Sequence, residues 1–136
     1  MNSGSKGFAV HLTFNGNCKQ ALLHYQKCFG GNLELQTLAD TPNGISMSRQ
    51  MQKIIVSATL ENEYFKLIGT DLTDENGIVV GNNMSILIEC NSYDERIQLI
   101  NNLVGKEFYL NINTNQLINV IDKYNMSWIL TVNITE

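Results

Sequence analysis

The chain repeats its own organisation, and that repeat limits the folds open to it. In Phe8-Ala-Val-His-Leu-Thr-Phe14 the large apolar residues fall on alternate positions, the period of a half-buried strand. Asn17-x-x-Gln20 then has the form of a capping box, opening a helix whose inward face is Ala21, Leu22, Tyr25, Cys28 and Phe29, and Gly30-Gly31 supplies a positive-φ stop. Met84 to Cys90 alternates in the same way, and Ser92-x-x-Glu95 caps a second helix with Ile97, Ile100, Leu103 and Val104 inward and Gly105 at its end. Asn91 stands 76 residues after Asn15; Leu22, Tyr25, Cys28 and Gly30 fall 75 residues before Ile97, Ile100, Leu103 and Gly105. Chance rarely sustains such agreement across strand, cap, helix face and stop together, so the chain reads as two copies of one supersecondary unit.

Each copy continues with β-rich runs. In the first these are Asn32 to Leu38, Ile54 to Leu60 and Tyr64 to Thr70, with a loop over residues 39–50 that holds the sole proline, Pro42, and a hairpin connection at Glu61-Asn-Glu63. In the second they are Glu107 to Ile112, Gln116 to Ile121 and Ser127 to Ile134, with a turn at Asp122-Lys-Tyr-Asn125. The expectation is an α+β fold of two βαβββ modules, about residues 8–70 and 84–134, joined by the polar linker 71–83 within a single domain, 1–136.

The chain's 136 residues, 43% of them apolar, suffice for a sizeable core. A net charge of −4 with nine Lys plus Arg and no basic block argues against a nucleic-acid or anionic-membrane partner. No apolar run reaches the length of a membrane span, and the small, polar start Met1 to Gly7 reads as a flexible leader. Cys18, Cys28 and Cys90 are odd in number, follow no metal-ligand spacing and sit in apolar patterns, so buried thiols in a reducing cytoplasm are expected.

Several of these segments resemble one family. His11-Leu-Thr-Phe-Asn-Gly-Asn-Cys18, Ala21 to Tyr25, Cys28-Phe-Gly-Gly31, Gly69-Thr-Asp71 and Asp122-Lys-Tyr-Asn-Met-Ser-Trp128 are similar to the PhnB-like branch of the glyoxalase and bleomycin-resistance superfamily, also called vicinal oxygen chelate proteins. The resemblance spans nearly the whole chain. It implies that the paired modules curl into a cup-shaped sheet with helices on the outer face, and that two subunits associate. Asn125 stands where the family usually has Gly, a change Asn tolerates because it visits left-handed backbone. The Trp-Gly or Tyr-Gly pair and longer segment usual after the second helix give way here to Asn113-Thr-Asn-Gln116.

Within that frame, strand parity assigns the face away from the helices: Ala9, His11 and Thr13; Ile55, Ser57 and Thr59; Tyr64, Lys66, Ile68 and Thr70; Ser85, Leu87 and Glu89; Ser127, Ile129, Thr131 and Asn133. From this mixed surface the candidate ligand-binding residues are His11, Thr13, Ser57, Tyr64, Lys66, Ser85, Glu89, Thr131 and Asn133. Metal-dependent members of the superfamily place four His or Glu-type ligands where this chain has His11, Lys66, Ser85 and Asn133, and PhnB-type members often carry His at the place of Ser57. A lone histidine beside an ammonium is a poor divalent site, so no metal and no cofactor is expected.

Lys66 would meet an anionic ligand, pair with a carboxylate such as Glu89, serve as an amine nucleophile, or snorkel at the rim. Neither His11 with Ser57 or Ser85 nor the lone His24 has a supporting catalytic motif, and Trp128 shares the parity of core residues Leu130 and Val132. The leading expectation is a cytoplasmic, homodimeric binder of an unidentified small molecule. The alternatives are a metal-dependent lyase or dioxygenase-type enzyme with other ligands, such as His11 and Glu89 with a residue from a second subunit, and a structural or protein-binding role.

Overall fold

A computed structural model of the chain describes residues 7–105 and 117–133. The described residues fall into two compact units, one of residues 7–26 and 30–78, the other of residues 27–29, 79–105 and 117–133. Among them no helix is long and apolar enough to cross a membrane.

The first unit holds β1 (Val10–Thr13), most of helix α1 (Cys18–Phe29), β2 (Asn32–Thr37), a short helix α2 (Arg49–Gln52), β3 (Ile55–Glu61) and β4 (Lys66–Thr70). Its four strands run in the order β1-β4-β3-β2, with β1 parallel to β4 and the other pairs antiparallel. Parity sorts the faces as expected. Ala9, His11 and Thr13 are exposed, while Ala58, Leu60 and Leu67 are fully buried with Leu22 and Tyr25. Gly69 permits the close approach of helix and sheet, since a Cβ there would lie 2.9 Å from Cys18 Sγ and 3.0 Å from Leu22 Cδ2.

Phe8 lies ahead of β1 and is exposed, and two strand residues also depart from the expected face. Gln36 pairs with Ser57 but Thr37 with Ile55, so Val56 is an extra residue in β3, and this bulge turns Ile55 into the core at 1% exposure. Thr70 is also buried, its Oγ1 accepting from Leu72 N at 3.0 Å. The run 39–50 contains 3-10 turns at Leu38–Asp40 and Gly44–Ser46, and α2 begins at its end, capped by Ser48.

Asn17 makes no side-chain cap to α1, contrary to its spacing. The carboxylate of Asp71 takes that role: Oδ1 accepts from Gly16 N and Cys18 N, both at 3.0 Å, and Oδ2 from Ile55 N at 3.1 Å. An anion is thereby held at the positive end of the helix.

The second unit repeats the order with β5 (Ile86–Cys90), α3 (Tyr93–Val104), β6 (Ile118–Ile121) and β7 (Ser127–Val132). Its strands lie β5-β7-β6, with β5 parallel and β6 antiparallel to β7, matching the β1-β4-β3 part of the first sheet. The strand expected over Glu107 to Ile112 lies outside the described residues. Here the cap is local, Ser92 Oγ accepting from Glu95 N at 3.0 Å, and Gly105 closes the helix at φ 73°. The buried stripe of α3 is Arg96, Leu99, Ile100 and Leu103, at i, i+3, i+4 and i+7, so Ile97 and Val104 stand at its margin, not its centre. Arg96 lies 5.5 Å from the Tyr93 ring centroid, a cation packed on an aromatic face. Trp128 is fully buried, with Phe29 at 5.0 Å between ring centroids.

Candidate functional site

The side of the second sheet away from its buried residues carries a cleft of about 750 Å³, lined by Asn82, Ser85, Asn119, Asn125, Ser127 and Ile129 together with Val80, Gly81 and Ile121. Strand alternation produces it. Val120, Trp128 and Leu130 turn into the core, which leaves Asn119, Ile121, Ser127 and Ile129 on the opposite side, and Asn119 stands opposite Ile129 in register.

The β6–β7 turn fixes one wall. Asp122, 6% exposed, accepts from Tyr124 N at 2.8 Å and Met126 N at 3.1 Å through Oδ1, and from the Trp128 indole N–H at 2.9 Å through Oδ2. Asn125, inside that turn, has φ 70°, the left-handed conformation its place in the motif requires.

A chain of neutral hydrogen bonds crosses the cleft. Asn119 Nδ2 donates to Ser127 Oγ at 2.8 Å and to the carbonyl of Trp128 at 3.0 Å, and the Ser127 and Ser85 hydroxyls lie 2.6 Å apart. A carbonyl only accepts, so Nδ2 is the atom facing Trp128 and Oδ1 points the other way. Among the described residues none of the lining side chains is ionisable. The arrangement can hold and orient an uncharged molecule, and its described residues supply no acid, base or thiolate.

The three thiols are withdrawn. Burial, and then the nearby Asp71 carboxylate, pushes the Cys18 thiol up to about 12. Burial raises Cys28 and Cys90 to about 11, with Asp122 and Glu95 adding to it respectively. All three cysteines are buried thiols in no disulfide, as their apolar settings suggest.

The candidates read from the sequence divide between the units. His11 and Thr13 on β1, Ser57 on β3 and Lys66 on β4 belong to the first; Lys66 is exposed and stands opposite Glu61. Tyr64 precedes β4, in a turn where its N–H donates to Asn62 Oδ1 at 2.9 Å. Ser85, Glu89, Thr131 and Asn133 belong to the second unit, with Glu89 opposite Thr131 and Asn133 N donating to Cys90 O at 2.7 Å. Of these only Ser85 lines the cleft. Asn119, Asn125, Asn82 and Ile121 were not among the candidates. The available signal was Asn119, a polar residue inside the apolar run Leu117 to Ile121.

The metal set implied by the superfamily does not fit this chain. Lys66 brings a positive charge, and the Ser85 hydroxyl is already engaged by Ser127, leaving His11 as the one strong donor. Among the described residues no three His, Cys, Asp or Glu side chains are grouped to hold an ion.

No protein-family model and no curated protein matches the sequence. Solved structures do. Protein PA1353 from Pseudomonas aeruginosa is 23% identical, covering 96% of this chain and 100% of its own, with a TM-score of 0.76. A Bacillus cereus protein described as a putative 3-demethylubiquinone-9 3-methyltransferase, PhnB protein, is 15% identical over 94% of this chain and 100% of its own, with a TM-score of 0.65. TioX from Micromonospora sp. ML1 is 10% identical over 96% of this chain and 98% of its own, with a TM-score of 0.50. The chain therefore has the fold of the PhnB-like proteins, the glyoxalase and bleomycin-resistance type that its motifs resemble.

Proposed function

We propose that the protein binds a small uncharged organic molecule in the cleft around Ser85, Asn119 and Ser127, holding it by neutral hydrogen bonds and not through a divalent ion. The observation that carries this reading is a cavity of ligand size whose polar side chains, among the described residues, are amides and hydroxyls. Ile121 and Ile129 supply apolar surface for the body of the ligand, while the Asn119–Ser127–Ser85 chain fixes the direction of its polar end. His11 and Lys66 belong to the other unit.

A fragment screen read by amide chemical shifts tests the proposal. Uncharged fragments are expected to move the signals of Ser85, Asn119 and Ser127. A screen that leaves those signals still overturns the reading, as does a stoichiometric divalent ion in protein purified without chelator that is lost from His11→Ala.

The same reading includes a homodimer. Among the described residues β1 and β2 end the first sheet and β5 and β6 the second, leaving backbone donors and acceptors that a second copy would cover. Light scattering at micromolar concentration should give twice the chain mass of 15.3 kDa, and a monomer mass would remove this part of the proposal.

A further inference from the structure

We propose that the cleft selects an amide: a ligand group in which an N–H donor and a carbonyl acceptor lie side by side on an uncharged frame, as in a carboxamide, a lactam or a urea. This rests on the reading of the cleft as a binding site and adds the chemistry it recognises. Both amide hydrogens of Asn119 are spent, one on Ser127 Oγ and one on the Trp128 carbonyl, so Oδ1 is the part of that side chain left to meet a ligand. It offers an acceptor whose orientation the backbone has fixed.

Ser85 supplies the complement. Asn119 already donates to Ser127, so the Ser127 hydroxyl is free to pass its own proton to Ser85 Oγ at 2.6 Å, which releases the Ser85 proton toward the cleft. A fixed acceptor on Asn119 and an adjustable donor on Ser85 then end one hydrogen-bonded chain, the two complements that an amide's N–H and carbonyl call for. A carboxylate would set its oxygens against Asn119 Oδ1. A cation would meet no carboxylate among the described lining residues to offset its lost hydration. Ile121 and Ile129 favour an apolar body behind the polar end.

Benzamide, benzoate and benzamidine share a ring and nearly a shape but differ in charge, so they separate amide recognition from mere ring binding. Titrated into labelled protein at millimolar concentration, benzamide should move the Ser85, Asn119 and Ser127 signals, with the other two weaker by about tenfold or more. Ser85→Ala should weaken benzamide about three- to tenfold, and Asn119→Leu at least as much. An unchanged amide spectrum away from the cleft shows that each variant is folded; Ser85, exposed at the rim, carries the test alone if Asn119→Leu is not.

Equal binding of benzoate or benzamidine at these residues would overturn amide selection while leaving the cleft as a binding site. So would a benzamide affinity unmoved by Ser85→Ala. If none of the three compounds moves the cleft signals although other fragments do, the amide assignment again falls alone; if no fragment of any kind moves them, the binding site falls with it.

Discussion

Asp71 ties three backbone N–H groups to a single carboxylate, joining the start of α1 to the first residue of β3. An asparagine in its place would keep an acceptor but turn an NH₂ toward at least one donor. Because hydrogen bonds to a charged group contribute about 1.5–3 kcal/mol each, Asp71→Asn should cost about 2–4 kcal/mol in urea unfolding. Asn17→Ala should cost less than about 0.5 kcal/mol, since that side chain caps nothing, whereas Ser92→Ala should cost about 1 kcal/mol. A large loss from Asn17→Ala would contradict the remote cap. The sequence makes the opposite ranking natural, because Asn17-x-x-Gln20 advertises a local box, and a bond from Cys18 to a residue 53 positions away leaves no spacing to read. Where the cap is local, as at Ser92, spacing and structure agree.

The two hairpins solve one problem with different side chains. Asn62 Oδ1 accepts from Tyr64 N and Phe65 N at 2.9 and 3.0 Å, as Asp122 Oδ1 does from Tyr124 N and Met126 N. The second hairpin adds a residue at positive φ, Asn125, whose left-handed backbone costs a residue with a Cβ about 1–2 kcal/mol unless it is Asn or Asp. Asn125→Gly should therefore leave the unfolding midpoint nearly unchanged, while Asn125→Ala should lower stability by about 1 kcal/mol. Equal effects from both would mean that the side chain and not the backbone matters there. Most elements were legible because alternation and helical period act locally. The Val56 bulge was not, since it is set by the pairing of β3 with β2 and reverses the face of an ordinary-looking Ile55. Arg96 was missed because a search for apolar stripes passes over a cation that is buried on an aromatic ring.

At the scale of the whole molecule the duplication was plain, while the cleft was legible only in part: parity put Ser85 and Ser127 on its side of the sheet, but Asn119, Asn125 and Asn82 come from β6, the β6–β7 turn and residues 80–82, where short or apolar runs gave parity little to sort. The same molecule-wide burial that shapes the faces sets its response to alkali. Cys18 lies in one unit and Cys28 and Cys90 in the other, and all three thiols ionise well above the ordinary value of 9.0, at about 12, 11 and 11. A folded-state value raised above the unfolded one means that the unfolded chain releases its protons first. The stability these thiols contribute is therefore whole below pH 9 and declines as pH rises through the window from 9 toward 11 and 12. Urea unfolding followed at successive pH values should show a flat contribution from the thiols up to about pH 8 and a growing loss above it. Cys28→Ala separates the two effects of that side chain. The lost sulfur contacts should lower stability by about 1 kcal/mol at neutral pH, yet the decline between pH 9 and 11 should become shallower because one proton fewer is involved. A variant whose curve simply runs parallel to the parent's would show that Cys28 ionises alike in the folded and unfolded chain.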